Sequence, residues 1–338
     1  MGSCQNTLSI SCRSCLCNDP KVISSKNINE ITLKIQIEQC DLNNIIYFLG
    51  NTQKNDGENL GEMNKSNTTV IIEGEAVSFK NYFIPKKTGI HFIRLIFKNK
   101  LSNCSYMFCQ CKNIIDIDFS KFKTEHITDM QWMFSGCSGL TSLNLVSFKT
   151  ESVTSMYCMF NGCSSLTSLD LLSFNTEKVI NMHSMFEGCV SLTSLNLSSF
   201  NTQKVTTMEC MFSGCSSLEE LNLSTFNTHK VTTMWSMFKN CSSLKIINLS
   251  SFNTQKVTTM AYMFDGCCSF TTLELSSFKT ENVTSMFQMF YGCESLTKLN
   301  LSSFNAANAS TIYMFNGCKN LVDCGSSDKN ILEAFKEK

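Results

Sequence analysis

The sequence predicts an α/β solenoid, in which a parallel β-sheet lines one side and short helices line the other. The phrase Met-Phe-x-Gly-Cys-x-x-Leu-x-x-Leu-x-Leu recurs every 26 residues from about Cys104 onward. A fixed period of roughly 20 to 50 residues is typical of stacked units that cannot bury their apolar faces alone. In each copy, the apolar residues are spaced first as in a strand and then as in a helix. The phenylalanine of the phrase stands at Phe108, Phe134, Phe160, Phe186, Phe212, Phe238, Phe264, Phe290 and, after one deletion, Phe315.

One copy, residues 192 to 217, shows how each element is predicted. Leu195 and Leu197 alternate with polar residues, which indicates a short strand with one buried face. Apolar residues then follow at spacings of three and four, which indicates a helix; they are Val205, Met208, Met211, Phe212 and Cys215. Thr202 is the expected N-cap of that helix, with Thr206 as the alternative.

A glycine follows the helical segment in most copies. It is Gly214 in this copy, and Asn240 stands at the same position in one other copy. Glycine and asparagine most easily take the left-handed conformation, so the position is predicted to end the helix and return the chain to the next strand.

The predicted elements also imply curvature. Parallel strands lie about 4.8 Å apart, whereas packed helices need about 8 to 10 Å. The helical side should therefore fan outward, with the strands on the concave side and the helices on the convex side.

The pattern divides the chain into four parts. Residues 1–28 form a cysteine-containing tail, and 29–103 form a small β-rich capping domain with alternating runs such as Ile31 to Ile37 and Ile90 to Phe97. Residues 104–321 hold nine copies of about 26 residues, and 322–338 form a C-terminal cap or tail. An independent binding domain is the alternative for 29–103.

Composition excludes several classes of protein. Lys plus Arg and Asp plus Glu both number 28, so a nucleic-acid partner is not expected. No stretch approaches the roughly 20 apolar residues of a membrane-spanning helix. The N-terminus lacks the apolar core of a secretory signal, so the 20 cysteines are expected to be free thiols in a reducing compartment.

The first residues suggest lipid attachment. Gly2 would accept myristate once Met1 is removed, and Cys4 would supply the second lipid that stable anchoring requires. An unmodified tail is the alternative. Zinc binding by Cys12, Cys15 and Cys17 is disfavoured because a structural site needs four ligands.

The concave face is the first candidate for a binding site, because extended curved surfaces are what solenoids offer to protein ligands. Its candidate residues are acidic positions near the N-terminal end and positions where successive copies differ: Asp116, Asp118, Val146, Asp170, Leu172, Glu220, Asn222, Ile246, Asn248, Glu274 and Lys298. Aromatic residues on the convex side are alternative anchors: Trp132, Tyr157, Trp235, Tyr262 and Phe287.

Neither catalysis nor a cofactor is expected. The four histidines are scattered, and none has a Cys or carboxylate partner at a motif spacing. The repeated cysteines, such as Cys189 and Cys215, lie on the apolar stripe and are interpreted as small core residues.

Residues 161 to 176, Asn-Gly-Cys-Ser-Ser-Leu-Thr-Ser-Leu-Asp-Leu-Leu-Ser-Phe-Asn-Thr, resemble the BspA-like leucine-rich repeat in its 26-residue surface-protein variant. That resemblance covers about two thirds of the chain. It implies a leucine-rich-repeat horseshoe that binds proteins, often in adhesion at bacterial or protist surfaces, and no catalytic residue.

The resulting hypothesis is a monomeric, non-enzymatic protein-interaction scaffold in the cytoplasm, tethered to the inner face of a membrane if Gly2 and Cys4 are acylated. A surface-displayed adhesin at the cell surface and a purely structural spacer are the alternatives.

Overall fold

The computed structural model describes residues 28–50 and 60–338. The described chain is mostly β-structure, with one 3-10 helix, Gln39–Asp41, and one α-helix. The strands of the N-terminal part are β1 (Asn29–Ile37), β2 (Ile46–Tyr47), β3 (Thr68–Ile72), β4 (Glu75–Val77), β5 (Tyr82–Phe83) and β6 (Gly89–Phe97). The repeats contribute β7 (Ile114–Lys121), β8 (Glu220–Asn222), β9 (Ile246–Asn248), β10 (Thr272–Glu274) and β11 (Lys298–Asn300).

The N-terminal strands form an antiparallel sheet that includes the first strand of the repeats. Its order is β4-β3-β6-β1-β7. Leu33 of β1 lies opposite both Ile93 of β6 and Ile117 of β7, and all three side chains are buried. Because β1 pairs with β7, the backbone groups at this edge of the repeats are satisfied. A separate pair, β2 with β5, lies beside the sheet.

Successive repeats are joined by parallel backbone pairing on two sides. On the Leu-x-Leu side, β8 pairs with β9 and β10 with β11. On the Met-Phe side, a second ladder of single bridges links residues about 26 positions apart: Asn103, Asp129, Ser155, Asn181, Thr207, Thr233, Thr259, Ser285 and Ser310. We call the outward surfaces of these two sides the strand face and the turn face.

The prediction of short helices is wrong. The segment from Met208 to Gly214 forms turns, in which the Met211 N–H donates to the Met208 carbonyl at 3.2 Å. The Cys210, Phe212 and Gly214 N–H groups instead donate to Trp235, Met237 and Lys239 carbonyls of the next repeat, at 2.9, 3.0 and 2.7 Å. Spacings of three and four suit such turns as well as a helix. The inter-repeat bonds form only when the next copy is present, so they leave no local signature.

The glycine column takes the predicted left-handed conformation, with φ +75° at Gly214 and +57° at Asn240. It ends a turn, however, and not a helix. A second left-handed position lies four residues earlier, with φ +53° at Cys210 and +57° at Trp132. Two left-handed residues so close together prevent continuous helix formation.

The expected curvature depended on helices in the Met-Phe segments, and these segments form turns instead. Ring centroids of Phe186 and Phe212, near the turn face, are 5.8 Å apart. Those of Phe148 and Phe174, in the second phenylalanine column, are 6.3 Å apart. Hence the turn face does not fan outward as helices would require.

The predicted N-cap role of Thr202 is also wrong. Thr202 is 1 % exposed. Its Oγ1 accepts the Asn227 N–H at 2.7 Å and donates to the Asn227 carbonyl at 3.0 Å, so it links two repeats. The same pair of bonds recurs at Thr150, Thr176, Thr228, Thr254 and Thr280. Thr206 is exposed and donates to the Ile180 carbonyl at 3.2 Å.

The last repeat is covered by the helix α1 (Lys329–Lys336). Ala306 occupies the threonine position there, and its N–H donates to Asp328 Oδ2 at 2.9 Å. Asp328 also caps α1 by accepting from the Asn330 and Ile331 N–H groups. Ile331 is fully buried, and Phe335 packs edge-on against Phe315 at 5.6 Å.

Candidate functional site

The strand face presents the side chains that were proposed from the sequence as a binding site. In β8, Leu221 points into the core while Glu220 and Asn222 point outward, as the alternation of a strand requires. All of the residues proposed for the concave face are exposed: Asp116, Asp118, Val146, Asp170, Leu172, Glu220, Asn222, Ile246, Asn248, Glu274 and Lys298. Whether they bind a partner stays a prediction.

Five of these exposed residues also stabilise turns of the fold. Asn222 Oδ1 accepts the Ser224 N–H at 3.0 Å, which closes a turn at the end of β8. The same contact recurs at Asp118, Asp170, Asn248 and, through its longer side chain, Glu274. The Ser120 N–H lowers the pKa of Asp118, and the Ser276 hydroxyl and N–H lower that of Glu274. Sequence reasoning missed this role, although Asx side chains two residues before a turn N–H are a known local signal.

Two of the remaining positions, Glu220 and Ile246, line a depression of about 590 Å³ on the strand face, whereas Asp116, Val146, Leu172 and Lys298 lie outside its lining. Glu220 lies directly opposite Ile246 in the parallel pair of β8 and β9. Ile246 is 65 % exposed, so its apolar side chain faces solvent at the depression. The lining residues include Ser194, Leu195, Asn196, Glu220, Ile246 and Asn248. An apolar anchor beside a carboxylate suits a polypeptide ligand.

Two more apolar side chains stand on the strand face nearer the N-terminus. Val146 and Leu172 are 67 % and 54 % exposed in successive repeats. The equivalent residue in the next repeat is Ser198. The strand face is therefore chemically distinct from repeat to repeat, as selective recognition requires.

The alternative aromatic anchors lie on the turn face, and the structure brings them together. Tyr106 stacks on Trp132 at 6.0 Å, and Trp132 meets Tyr157 edge-on at 5.3 Å. Tyr157 in turn contacts the ring of His183 at 5.0 Å. A second run joins Trp235, Tyr262, Phe287 and Tyr313 at 6.2, 5.2 and 6.0 Å. We call these eight side chains the aromatic row; sequence reasoning missed Tyr106, His183 and Tyr313.

The repeated cysteines are core residues. Cys215 is fully buried, and its thiol donates to the Phe186 carbonyl of the preceding repeat at 3.2 Å. Burial raises the pKa of Cys189 and Cys241 to about 12. A hydrogen bond with Cys293 lowers the pKa of Cys318, which is nevertheless 1 % exposed. Buried protonated thiols are poor nucleophiles.

The histidines lie apart, each with local partners. His91 Nε2 lies 2.9 Å from the Lys87 carbonyl, and His126 lies 2.8 Å from Lys100 Nζ. His183 Nδ1 lies 3.0 Å from Glu209 Oε2, and His229 Nδ1 lies 2.6 Å from Asn227 Oδ1. These contacts orient no histidine toward a thiol or hydroxyl nucleophile.

The lipidation candidates Gly2 and Cys4, and the cysteines at 12, 15 and 17, lie outside the described residues. Within residues 28–50 and 60–338, no cluster of three His, Cys, Asp or Glu side chains is arranged to hold a metal ion. None of the helices in that same part of the chain is long and apolar enough to cross a membrane.

Comparisons with known proteins place the repeats in a family. The family described as "Mycoplasma protein of unknown function, DUF285" matches twice, over residues 102–221 and 208–327. A search of curated proteins found no match. A chain from a solved structure titled "Crystal structure of TLR13-ssRNA13 complex" is 17 % identical over 69 % of this chain and 46 % of that one, with a TM-score of 0.23. The match spans less than half of that chain. Because the two family matches together cover well over half of the sequence, the chain belongs to the DUF285 family of Mycoplasma proteins of unknown function.

Proposed function

We propose that the chain is a non-enzymatic protein-interaction scaffold of BspA-like leucine-rich-repeat type, which binds a partner polypeptide on its strand face. The observation that carries the proposal is the strand-face depression, where Ile246 is 65 % exposed beside Glu220. An exposed apolar side chain in a depression rimmed by polar groups can serve as an interface anchor.

The stacked repeats support this function. Every repeat has a similar backbone arrangement. The outward residue at the start of β8 to β11, in contrast, changes from Glu220 to Ile246, Thr272 and Lys298. A constant frame with variable outward positions allows recognition of an extended polypeptide. The buried thiols and locally bonded histidines favour binding over catalysis.

Photo-crosslinking tests the proposal. A photoreactive amino acid is placed at Ile246 in the intact chain, and a matched protein carries it at exposed Lys204, outside the depression. We expect a defined partner polypeptide to be captured from Ile246 and not from Lys204. Equal capture from both positions would contradict a strand-face site.

The affinity of the purified complex then separates a scaffold from a structural spacer. Ile246→Asp and Glu220→Lys are each expected to weaken binding by about tenfold or more, as loss of a central interface residue does. If alanine at Glu220, Ile246 and Glu274 together leaves the affinity unchanged, the spacer function is favoured.

Membrane attachment through Gly2 and Cys4 stays a prediction of the sequence. Intact-mass measurement of the protein from its native cells checks it, because each acyl chain adds a characteristic mass. Glycan masses or disulfide bonds would instead favour the surface-displayed adhesin.

A further inference from the structure

The turn face carries two pairs of side chains at equivalent positions in different repeats, one pair with both charges and the other with a carboxylate only. In the C-terminal half, Lys239 Nζ lies 2.5 Å from Asp265 Oδ2 in the next repeat and 4.4 Å above the Tyr262 ring. An ammonium group over an aromatic ring and beside a carboxylate is stabilised by both. In this part of the aromatic row, therefore, a cation supplied by the chain itself occupies the site.

Three repeats earlier, the cation is missing. Asn161 stands at the position of Lys239, and Glu187 stands at that of Asp265. Asn161 Nδ2 donates to Glu187 Oε2 at 2.9 Å between the same two repeat positions, but an amide does not neutralise the carboxylate. Ser184 stands at the position of Tyr262. No Lys or Arg of the described chain forms an ion pair with Glu187.

A second carboxylate lies in the following repeat. Glu209 Oε2 is 3.0 Å from His183 Nδ1, and Glu209 Oε1 accepts from the Thr233 hydroxyl at 2.6 Å. No Lys or Arg pairs with Glu209 among the described residues either. The side chain of Glu209 is 29 % exposed, so a ligand can reach it.

Aromatic rings border these carboxylates. Tyr157 contacts His183 at 5.0 Å, and Trp132 continues the row on the other side of Tyr157. Burial and, to a smaller extent, the charge of Glu187 raise the pKa of Cys210 to about 12, which places Glu187 near that part of the turn face. The region thus combines aromatic rings with two carboxylates that pair with no Lys or Arg of the described residues.

We propose that the turn face around Glu187, Glu209 and Tyr157 is a second binding surface, which takes an arginine- or lysine-bearing segment of a partner protein. The bound cation would pair with Glu187 as Lys239 pairs with Asp265, with Tyr157 as the neighbouring ring. Arginine suits the surface best, because its planar guanidinium stacks on aromatic rings and pairs with carboxylates. The neutral face of a sugar would leave both carboxylates without a counter-charge.

Peptide binding to the full chain tests the proposal. The probe is a fluorescein-labelled peptide of alternating arginine and serine, and the reference is the same peptide with glutamine replacing arginine. We expect the arginine peptide to bind more tightly. Glu187→Gln with Glu209→Gln should weaken it roughly fivefold to tenfold, as expected for a partly exposed cation bound by rings and carboxylates.

A second variant tests the same surface while keeping both carboxylates. Asn161→Lys introduces the lysine that one later repeat carries at Lys239, and it should block the arginine peptide to a similar degree. The matched control is Glu177→Gln, which removes one exposed carboxylate elsewhere in the same repeat. Thermal unfolding midpoints confirm that each variant is folded.

Three outcomes would overturn the proposal: equal binding of the glutamine peptide, equal weakening by Glu177→Gln, or binding of a neutral oligosaccharide that the arginine peptide cannot displace. The strand-face variant Ile246→Asp should leave arginine-peptide binding unchanged. The proposals for the strand face and for the turn face can therefore be contradicted independently of each other.

Discussion

At the scale of single residues, the repeats are held together by side chains that bond across to a neighbouring copy. The threonine column is the clearest case, because each buried hydroxyl serves as both donor and acceptor for one residue of the next repeat. The cysteine column adds a weak thiol bond to the preceding repeat. These threonine and cysteine side chains are thus satisfied between copies and not within them.

Thr202→Ala should lower the free energy of unfolding by about 1–3 kcal/mol. The change leaves the part-buried Asn227 N–H and carbonyl without their Thr202 partner, and a polar group left unpaired away from water costs about that much. Urea denaturation followed by circular dichroism measures the loss. The control Thr206→Ala removes an exposed hydroxyl and should change the free energy by less than about 0.5 kcal/mol. Equal losses would show that the threonine column is not a structural link.

The buried side chain of Glu30 is expected to make the stability of the folded protein depend on pH. Its side chain is 5 % exposed, and a hydrogen bond from Arg94 is the main cause that lowers its pKa. Arg94 Nη2 lies 2.7 Å from Glu30 Oε2, and Lys121 Nζ lies 3.7 Å from Oε1. Because the folded pKa is depressed, the stabilisation is present above the unfolded pKa of the carboxyl group. It is lost as the pH falls through the folded pKa.

Arg94→Met should therefore be destabilising at pH 7, by less than the roughly 3–5 kcal/mol of a fully buried pair, because Arg94 is 44 % exposed. The difference from the parent should shrink as the pH falls below the ordinary range of a glutamate. Urea denaturation across this pH range measures it. Lys34→Met removes a cation from β1 that forms no ion pair with Glu30, and a similar pH-dependent difference there would contradict the assignment.

At the scale of elements, each end of the stack is closed by a different structure. At the N-terminal end, β1 pairs along β7. At the C-terminal end, Asp328 bonds both the first turn of α1 and the Ala306 N–H of the last repeat. Exposed ends would leave strand edges and apolar side chains open to other chains.

Asp328→Ala should loosen the C-terminal end locally. Loss of a helix N-cap costs about 1 kcal/mol, and the Ala306 N–H loses its acceptor as well. Hydrogen exchange measured by mass spectrometry should become faster from about residue 306 to 338 and stay unchanged over 104–160. Glu333→Ala, which removes an exposed side chain of α1 and keeps the cap, is the control. Uniformly faster exchange along the chain would contradict a local role for the cap.

At the scale of the whole molecule, stability is distributed along a row of similar contacts between neighbours. Phenylalanine rings stack from Phe134 to Phe160 at 5.5 Å and from Phe264 to Phe290 at 5.7 Å. Contacts of this kind repeat along the stack, so each repeat depends chiefly on its two neighbours.

Deletion of residues 192–217, one full period, should leave a folded protein. The deletion joins Ser191 to Leu218, which occupies the same column as Leu192, so every remaining contact finds an equivalent partner. The urea m-value should fall, because less surface is exposed on unfolding. Deletion of residues 192–204 breaks the columns and should prevent cooperative unfolding. If both shortened chains unfold alike, the repeats do not stack in register.

The sequence by itself determined the period, the alignment of the repeats and the residues of the core. These follow from identical residues at identical spacing, as with the phenylalanine, cysteine and glycine columns. It also placed Ile246 and Glu220 on an exposed strand face, because a strand alternates its side chains.

The tertiary structure alone decided the backbone of the Met-Phe segment, the role of Thr202 and the assembly of the aromatic row. In each case the deciding partner lies about 26 residues away in the next repeat, as the Phe212 N–H and the Met237 carbonyl do. Spacing within one repeat suits a helix and a series of turns equally. The turns prevail because their free N–H groups bond to the neighbouring copy, a contact that exists only in the stack.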